Sequence, residues 1–269
     1  MNIADRQQKH AHDLHGLAGE RDTRARRIIL YSHDTFGLGH LRRSRALASA
    51  ITSSDPSSSA IILTGSPVAG RFTFPEGVDH VRLPGVTKRQ DGSYDSQTLG
   101  LDIDETTSLR AGIIKSTVEQ YDPDLFIVDK EPTGFRGELL QTLEWLRDHG
   151  RAKIVLGLRD VLDEASVLEA EWARKNAIAA TEEFYDEIWV YGPREVYDPT
   201  EGLPLSEATR DRIHWTGYLR REIIDEADTP DAPYVLITPG GGGDGQALVD
   251  LVIQAYEKDP KLKPDAVLV

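Results

Sequence analysis

The chain has 269 residues, of which 39% are hydrophobic, and its 31 basic and 45 acidic residues give a formal net charge of −14. This length suits one large domain or two smaller ones, and the hydrophobic share is that of a globular protein. The negative charge argues against a protein that wraps nucleic acid or covers an anionic membrane surface. The absence of cysteine excludes disulfides, zinc–thiolate sites and cysteine nucleophiles.

Residues 1–25 are polar and lack the apolar core of a signal peptide. We expect a flexible polar tail there and interpret His10, His12 and His15 as part of it rather than as metal ligands. No apolar run approaches the ~18 residues of a membrane span. We therefore expect a soluble, cytoplasmic protein.

Short apolar runs rich in β-branched residues then alternate with longer helical patterns. The predicted strands are Arg27–Ser32, Ala60–Thr64, His80–Leu83, Leu125–Asp129, Lys153–Leu158, Glu187–Tyr191 and Arg212–Thr216. The predicted helices between them are His40–Ile51, Glu105–Gln120, Gly137–His149 and Asp163–Ala180. This alternation predicts an α/β fold, with residues 26–221 forming one doubly wound domain around a parallel sheet.

Residues 222–233 are acidic and contain proline, which is typical of a linker. A second unit follows over residues 234–269, with a strand at Tyr234–Thr238, a helix from Gln246 to about Lys258 and a final apolar run. Fewer than about 40 residues seldom hold a core of their own. We interpret this unit as the truncated start of a second Rossmann-like domain and the chain as a fragment.

The turn "SHDTFGLGH" joins the first strand to an arginine-rich helix. Gly37 and Gly39 allow a ligand to approach the backbone at a helix start, where amide groups attract anions. A dinucleotide fingerprint would need glycine in place of Arg42, so NAD is disfavoured. The alternative is a tight turn without a ligand.

A second glycine loop, Gly240–Gly243, follows the strand of the second unit. Gln246 and Ala247 replace the lysine and hydroxyl of a P-loop, which disfavours an NTPase. Bare backbone between a strand and a helix suits a diphosphate or a sugar. The alternative is a loose connector.

Polar residues also follow the later strands of the predicted sheet. If the first and fourth strands flank the reversal of strand order, His40 and the segment Asp129, Lys130, Glu131 line one crevice. His40 is a candidate base, or it packs locally. The acidic and basic residues of the segment pair with a ligand or with one another, and Arg159 and Asp160 form either a binding element or an ion pair.

Two further patterns have simpler interpretations. Asp102 and Asp104 match a D-x-D metal motif, but the helix that follows favours Asp104 as an N-cap. Arg42, Arg43 and Arg45 lie either beside the glycine turn or on an ordinary solvated helix face.

Four segments together carry a family resemblance: "YSHDTFGLGHLRRSRALA", "PDLFIVDKEPTGFRGEL", "IVLGLRDVLD" and "YVLITPGGGGDG". They resemble a bacterial group of glycosyltransferases of the GT-B type. That group is related to family 28 and to the enzyme that adds N-acetylglucosamine to the lipid-linked peptidoglycan precursor. The resemblance spans nearly all of residues 27–245. It implies two Rossmann-like domains, the first binding the acceptor and the second a nucleotide-sugar.

The resemblance implies sugar transfer from a nucleotide-diphosphate sugar to an acceptor hydroxyl, with no cofactor and no metal. His40 is the first candidate catalytic residue, followed by Asp34 and Asp129. The candidate acceptor- or phosphate-binding residues are Gly37, Gly39, Arg42, Lys130, Glu131, Arg159 and Asp160. The candidate donor diphosphate site is formed by Gly240, Gly241, Gly242 and Gly243. Peripheral membrane contact is expected only for a lipid-linked acceptor, and no nucleic-acid partner is expected.

Two alternatives remain, a non-catalytic module that binds a sugar nucleotide or phosphate and a nucleotide-sugar epimerase of the same architecture. The sequence specifies neither the donor nor the acceptor, nor the stereochemistry or oligomeric state. We expect residues 1–269 by themselves to bind a nucleotide-sugar weakly or not at all and not to transfer sugar.

Overall fold

The computed structural model describes residues 24–32, 38–89, 93–162, 165–220, 230–239 and 245–268. Its strands are β1 (Arg27–Ser32), β2 (Ser59–Thr64), β3 (Val78–Arg82), β4 (Val86–Lys88), β5 (Tyr94–Ser96), β6 (Leu125–Asp129), β7 (Lys153–Arg159), β8 (Glu187–Tyr191), β9 (Ile213–Trp215), β10 (Tyr234–Ile237) and β11 (Asp265–Leu268). Its α-helices are α1 (Gly39–Ser54), α2 (Ile103–Tyr121), α3 (Leu140–His149), α4 (Ala165–Arg174), α5 (Ala177–Phe184), α6 (Glu207–Arg210) and α7 (Gln246–Lys258).

Seven strands form one parallel sheet in the order β3-β2-β1-β6-β7-β8-β9. Strands β2 and β3 lie in that order on one side of β1. Strand β6 pairs with the other side of β1, and β7, β8 and β9 follow it in sequence towards the opposite edge of the sheet. The strand order therefore reverses between β1 and β6. This confirms the predicted doubly wound sheet and the pairing of the first and fourth predicted strands.

The strands are continuously apolar because helices cover both faces of the sheet. On one face Leu30 and Ile127 belong to a core with Leu41 of α1. On the other face Tyr31 and Val128 belong to a larger core, which includes residues from α2 to α5. Period-two alternation along each strand assigns successive side chains to these two cores.

Several details differ from the sequence-based prediction. The predicted helix 163–180 is two helices that meet at Asn176, whose φ is +52°; its first two residues lie outside the described ranges. Helix α3 begins at Leu140, after a 3₁₀ turn at Phe135–Gly137. An antiparallel hairpin of β4 and β5 was not predicted.

The N-cap of α2 is Asp102, so the prediction of Asp104 is wrong. The Asp102 side chain accepts a bond from the Glu105 amide, and the Glu105 side chain accepts one from the Asp102 amide. This reciprocal capping box satisfies two amides that the helix leaves without partners.

Strands β10 and β11 pair in parallel as a separate two-stranded sheet, joined by α7. The predicted strand and the predicted helix Gln246–Lys258 are thereby confirmed. Helix α7 has no buried residue, and Leu251 is 64% exposed. The boundaries 1–25, 26–221, 222–233 and 234–269 stay predictions, and residues 1–23 and 221–229 lie outside the described part. None of the described helices combines the length and the apolar content that crossing a membrane requires.

Candidate active site

His40 and Asp129 meet where the strand order reverses. His40 lies in the first turn of α1, and Asp129 is the last residue of β6. Nδ1 of His40 is 2.6 Å from Oδ2 of Asp129. The structure thus brings together two of the residues that the sequence analysis placed around one crevice.

Arg43 is the third member of this cluster, one helical turn after His40. Its Nε lies 3.1 Å from Oδ1 of Asp129, and its terminal NH2 lies 2.9 Å from Oδ2. A planar guanidinium that donates to both oxygens fixes the position of the carboxylate. Arg42, the candidate from the sequence, is exposed on the same helix. The spacing of the arginines did not show which of them faces β6.

The environment of Asp129 keeps it ionised. Burial by itself raises the pKa of Asp129, but the hydrogen bond and charge of His40 and the bonds from Arg43 outweigh burial and lower the pKa below its ordinary value. The two residues that lower this pKa, His40 and Arg43, are the ones whose nitrogens make the three contacts with its carboxylate oxygens described above.

The ionised carboxylate also determines the tautomer of His40. The Arg43 NH2 group lies 3.0 Å from Nδ1 as well, so Nδ1 is close to a donor and to an acceptor. An ionised carboxylate only accepts hydrogen bonds, and a 2.6 Å contact with an unprotonated nitrogen would be repulsive. We therefore assign the proton to Nδ1, which donates to Asp129. In the neutral imidazole, Nε2 is then the nitrogen that accepts a proton.

Other polar side chains lie along the same edge of the sheet. Ser32, Asp129, Arg159 and Tyr191 occupy the final positions of β1, β6, β7 and β8. Alternation assigns them to the face that α1 covers. Within the described part of the chain, three of their atoms are buried without a hydrogen-bond partner: Oγ of Ser32, Nε of Arg159 and the hydroxyl of Tyr191. A polar ligand group at this edge would find hydrogen-bond donors and acceptors in these three atoms.

The segment after β6 pairs partly with itself, as one alternative proposed. Nζ of Lys130 lies 3.7 Å from Oε1 of Glu131. Glu131 is buried, and its closer partner is Nζ of Lys175 at 2.7 Å. Sequence reasoning missed Lys175, because it follows α4 and lies 44 positions from Glu131.

Arg159 and Asp160 form no recorded ion pair with each other in the described ranges, although both are half-buried. The carboxylate of Asp160 instead interacts with Tyr218. Gly39 begins helix α1 and is exposed. The candidates Asp34, Gly37, Gly240, Gly241, Gly242 and Gly243 lie outside the described residues.

The D-x-D segment takes part in other contacts. Asp102 caps α2, and Oδ1 of Asp104 lies 2.7 Å from Arg136. Among the residues that the structure describes, no group of three or more acidic or histidine side chains is arranged to hold a metal ion.

Comparison with known proteins gives a structural likeness but no sequence match. No protein-family model matches the chain, and no curated protein matches it. A glycotransferase of kitacinnamycin has a TM-score of 0.54 at 10% identity, over 91% of this chain and 71% of that one. A glycosyltransferase from Rickettsia africae has a TM-score of 0.49 at 11% identity, over 91% and 60%. CalG4, the calicheamicin glycosyltransferase, has a TM-score of 0.43 at 17% identity, over 81% and 59%.

The chain spans less than two thirds of the last two proteins, and their TM-scores lie below 0.5. The first comparison exceeds 0.5, and at 10% identity it bears on the fold alone. Together with the seven-stranded parallel sheet, it confirms the predicted fold class: an α/β fold of the GT-B type.

Proposed function

We propose that the protein is a glycosyltransferase that moves a sugar from a nucleotide-diphosphate sugar to an acceptor hydroxyl. The observation that carries this proposal is the 2.6 Å contact between His40 and Asp129 at the carboxyl edge of β1 and β6. Ligands of open α/β sheets collect at this edge, beside the reversal of strand order. A fold hosts many activities, so the proposal depends on the pair and not on the fold alone.

In the proposed reaction, Nε2 of His40 takes the proton from the acceptor hydroxyl. The acceptor oxygen bonds to the anomeric carbon, and the bond between that carbon and the diphosphate oxygen breaks. The electron pair of that bond leaves with the nucleoside diphosphate. The imidazolium that forms is stabilised by Asp129, which already holds Nδ1–H. General-base catalysis of this kind contributes about 10²–10⁴-fold to rate.

Arg43 acts in this scheme as a positioning residue. Its two bonds fix the position of the Asp129 carboxylate, which in turn holds the imidazole through Nδ1. A base must lie within about 3 Å of the proton it removes, so a fixed ring orientation is needed.

The donor side of the proposal comes from the sequence resemblance. The first-turn amides of α1 and the loops that contain Gly37 and Gly240–Gly243 are proposed to hold the diphosphate. The acceptor is proposed to bind against the strand edges of residues 26–221. Transfer without a metal or a further cofactor belongs to the same proposal.

The test is to incubate the full-length protein with uridine and thymidine diphospho-sugars and a panel of alcohols. Release of nucleoside diphosphate and the NMR spectrum of the sugar are followed together. We expect release with a new glycosidic bond, and turnover about 10²–10⁴-fold lower in His40→Ala and His40→Asn. Asn retains some hydrogen bonding but does not accept a proton at neutral pH.

The other outcomes contradict the proposal in different ways. Interconversion of the donor sugar without a new glycosidic bond would indicate an epimerase, and binding without any change would indicate a binding module. Turnover in both variants within about fivefold of the parent, with normal unfolding curves, would remove His40 from the mechanism. The same assay on residues 1–269 tests the expectation that this stretch alone does not turn over.

A further inference from the structure

A cavity of about 500 Å³ lies next to the segment that follows β6. Four parts of the chain line it: Tyr94 of β5, residues of the segment from Glu131 to Gly137 after β6, Leu140 at the start of α3, and Arg174 and Lys175 at the end of α4. Small-molecule sites typically measure about 300–1,000 Å³. We call this cavity the Tyr94 pocket.

Three of the charged residues that line the Tyr94 pocket are basic, Arg136, Arg174 and Lys175, and one is acidic, Glu131. Lys175 is compensated, because its Nζ lies 2.7 Å from Glu131 and 2.5 Å from Glu171. Arg136 pairs with Asp104, which is 81% exposed, so this pair is well screened by solvent. Arg174 is exposed and has no recorded carboxylate partner in the described part of the chain. The lining itself therefore carries more positive than negative charge, and in the described residues Arg136 and Arg174 are its cations without a buried carboxylate partner.

One wall of the Tyr94 pocket is aromatic. The Tyr94 ring meets the Phe135 ring edge to face, with centroids 5.0 Å apart and an interplanar angle of 75°. Phe135 is buried, and Tyr94 is half-buried. An apolar wall beside arginines suits a molecule with an apolar body and one anionic group.

The floor of the pocket is held by a buried polar network. Arg110 donates to both oxygens of Glu138, at 2.6 and 2.7 Å, and all but about 1% of its surface is buried. The Tyr31 hydroxyl donates to Glu138 at 2.6 Å and accepts from the Phe135 amide at 2.9 Å. A segment fixed in this way keeps the pocket shaped before a ligand arrives.

The Tyr94 pocket and the His40–Asp129 pair both lie at the carboxyl end of β6. Glu131 follows Asp129 by two residues, so their Cα atoms are at most about 7 Å apart. The pocket therefore begins within two residues of the carboxylate that holds the candidate base.

We propose that the Tyr94 pocket binds the acceptor through an anionic group, a carboxylate or a phosphate, which Arg136 and Arg174 recognise beside the Tyr94 ring. This proposal rests on the proposed function in one respect: the bound anion is an acceptor only if the protein transfers sugar. The binding itself requires only the pocket, so it is measured without a donor sugar.

The test is a calorimetric titration of the full chain with three probes that share one ring and one hydroxyl: 4-hydroxybenzoate, 4-hydroxyphenyl phosphate and the neutral 4-hydroxybenzamide. We expect at least one anion to bind about tenfold or more tighter than the amide. A preference for the phosphate that grows between about pH 5 and 7, as its second proton is lost, assigns a phosphate-bearing acceptor. A preference for the carboxylate without that growth assigns a carboxylate-bearing one.

The variant Arg136→Gln with Arg174→Gln is expected to abolish the discrimination between anion and amide. Arg71→Gln, which removes an exposed arginine near the β2–β3 edge of the sheet, is the matched control and is expected to retain it. Equal binding of all three probes, unchanged discrimination in the double variant, or no anion binding up to about 10 mM would overturn the inference.

Failure of this inference is distinguishable from failure of the proposed function. If sugar transfer depends on His40 but the anionic probes bind no tighter than the amide, the proposal for the Tyr94 pocket is wrong and the proposed function stands. If the anionic probes bind tighter than the amide but no sugar is transferred, the proposed function is wrong and the Tyr94 pocket remains an anion-binding site.

Discussion

The side chain of Tyr191 lies directly over Gly157 of the neighbouring strand, and a Cβ atom at residue 157 would overlap with its hydroxyl oxygen. Glycine at this position lets the tyrosine ring lie across β7, towards Asp129. Burial raises the pKa of Tyr191, and the nearby charge of Asp129 raises it further. The hydroxyl therefore remains protonated and available as a donor beside the candidate base.

Gly157→Ala is expected to destabilise the protein by about 1–3 kcal/mol, because the added methyl forces Tyr191 out of its position. Urea unfolding measures the change. Gly112→Ala is the matched control, since residue 112 lies within α2 and nothing is within 4 Å of a Cβ added there. Alanine in a helix is favoured over glycine by up to about 1 kcal/mol, so this variant should be neutral or more stable. Equal destabilisation by both substitutions would contradict the packing of Tyr191 over Gly157.

Arg43→Gln and Arg42→Gln form a second matched pair on one helix. Arg43 donates two bonds to a buried carboxylate, so its loss should cost about 1.5–3 kcal/mol of unfolding free energy. Arg42 is exposed, and its loss should change stability by no more than about 0.5 kcal/mol. Chemical denaturation at neutral pH checks both values. If the two variants are equally stable, Arg43 does not hold Asp129 in solution.

The lowered pKa of Asp129 predicts how the stability difference between the parent and Asp129→Asn depends on pH. The folded protein holds this pKa below its ordinary value of 3.8, so the ionised carboxylate contributes stability above that pH. The contribution is lost as the pH falls through the folded-state pKa. The parent's advantage over the variant should thus be constant above about pH 5 and shrink below about pH 4. Unfolding curves from about pH 3 to 7 measure it, and an advantage that grows on acidification would refute the assignment.

Arg110→Met is expected to cost about 3–5 kcal/mol, because it leaves the carboxylate of Glu138 buried without its cation. Arg136→Gln, which breaks the exposed pair with Asp104, should cost about 1 kcal/mol or less. Adding Glu138→Leu to Arg110→Met should recover part of the loss, since the unpaired charge is then removed. The account of the buried network fails if Arg110→Met is no more costly than Arg136→Gln.

The parts of this fold that the sequence predicts well are those in which one physical signal dominates. Strands β1, β6 and β8 have the predicted bounds, because continuous apolar runs end sharply at polar residues. The position of His40 and Asp129 around one crevice follows from the usual strand order of a doubly wound sheet, although their direct contact was not predicted. Neither inference needs knowledge of side-chain packing.

The rest depends on the tertiary structure. Arg110 and Glu138 have the sequence character of surface residues, and only the fold shows that each buries its charge against the other. The helix break at Asn176 has no glycine or proline to mark it. The sequence does not show whether Arg42 or Arg43 faces Asp129, because this depends on how α1 is rotated about its axis against β6. Lys175 reaches Glu131 only after α4 folds beside the loop.

The measurement that tests the central claim most directly is ¹⁵N NMR of the histidine side chains, with His40→Asn used to assign the His40 signals among the eight histidines. The account predicts that the neutral imidazole of His40 carries its proton on Nδ1, in a hydrogen bond that is lost in Asp129→Asn. A proton on Nε2, or a mixture of tautomers that Asp129→Asn does not change, would contradict the assignment of His40 as a base held by Asp129.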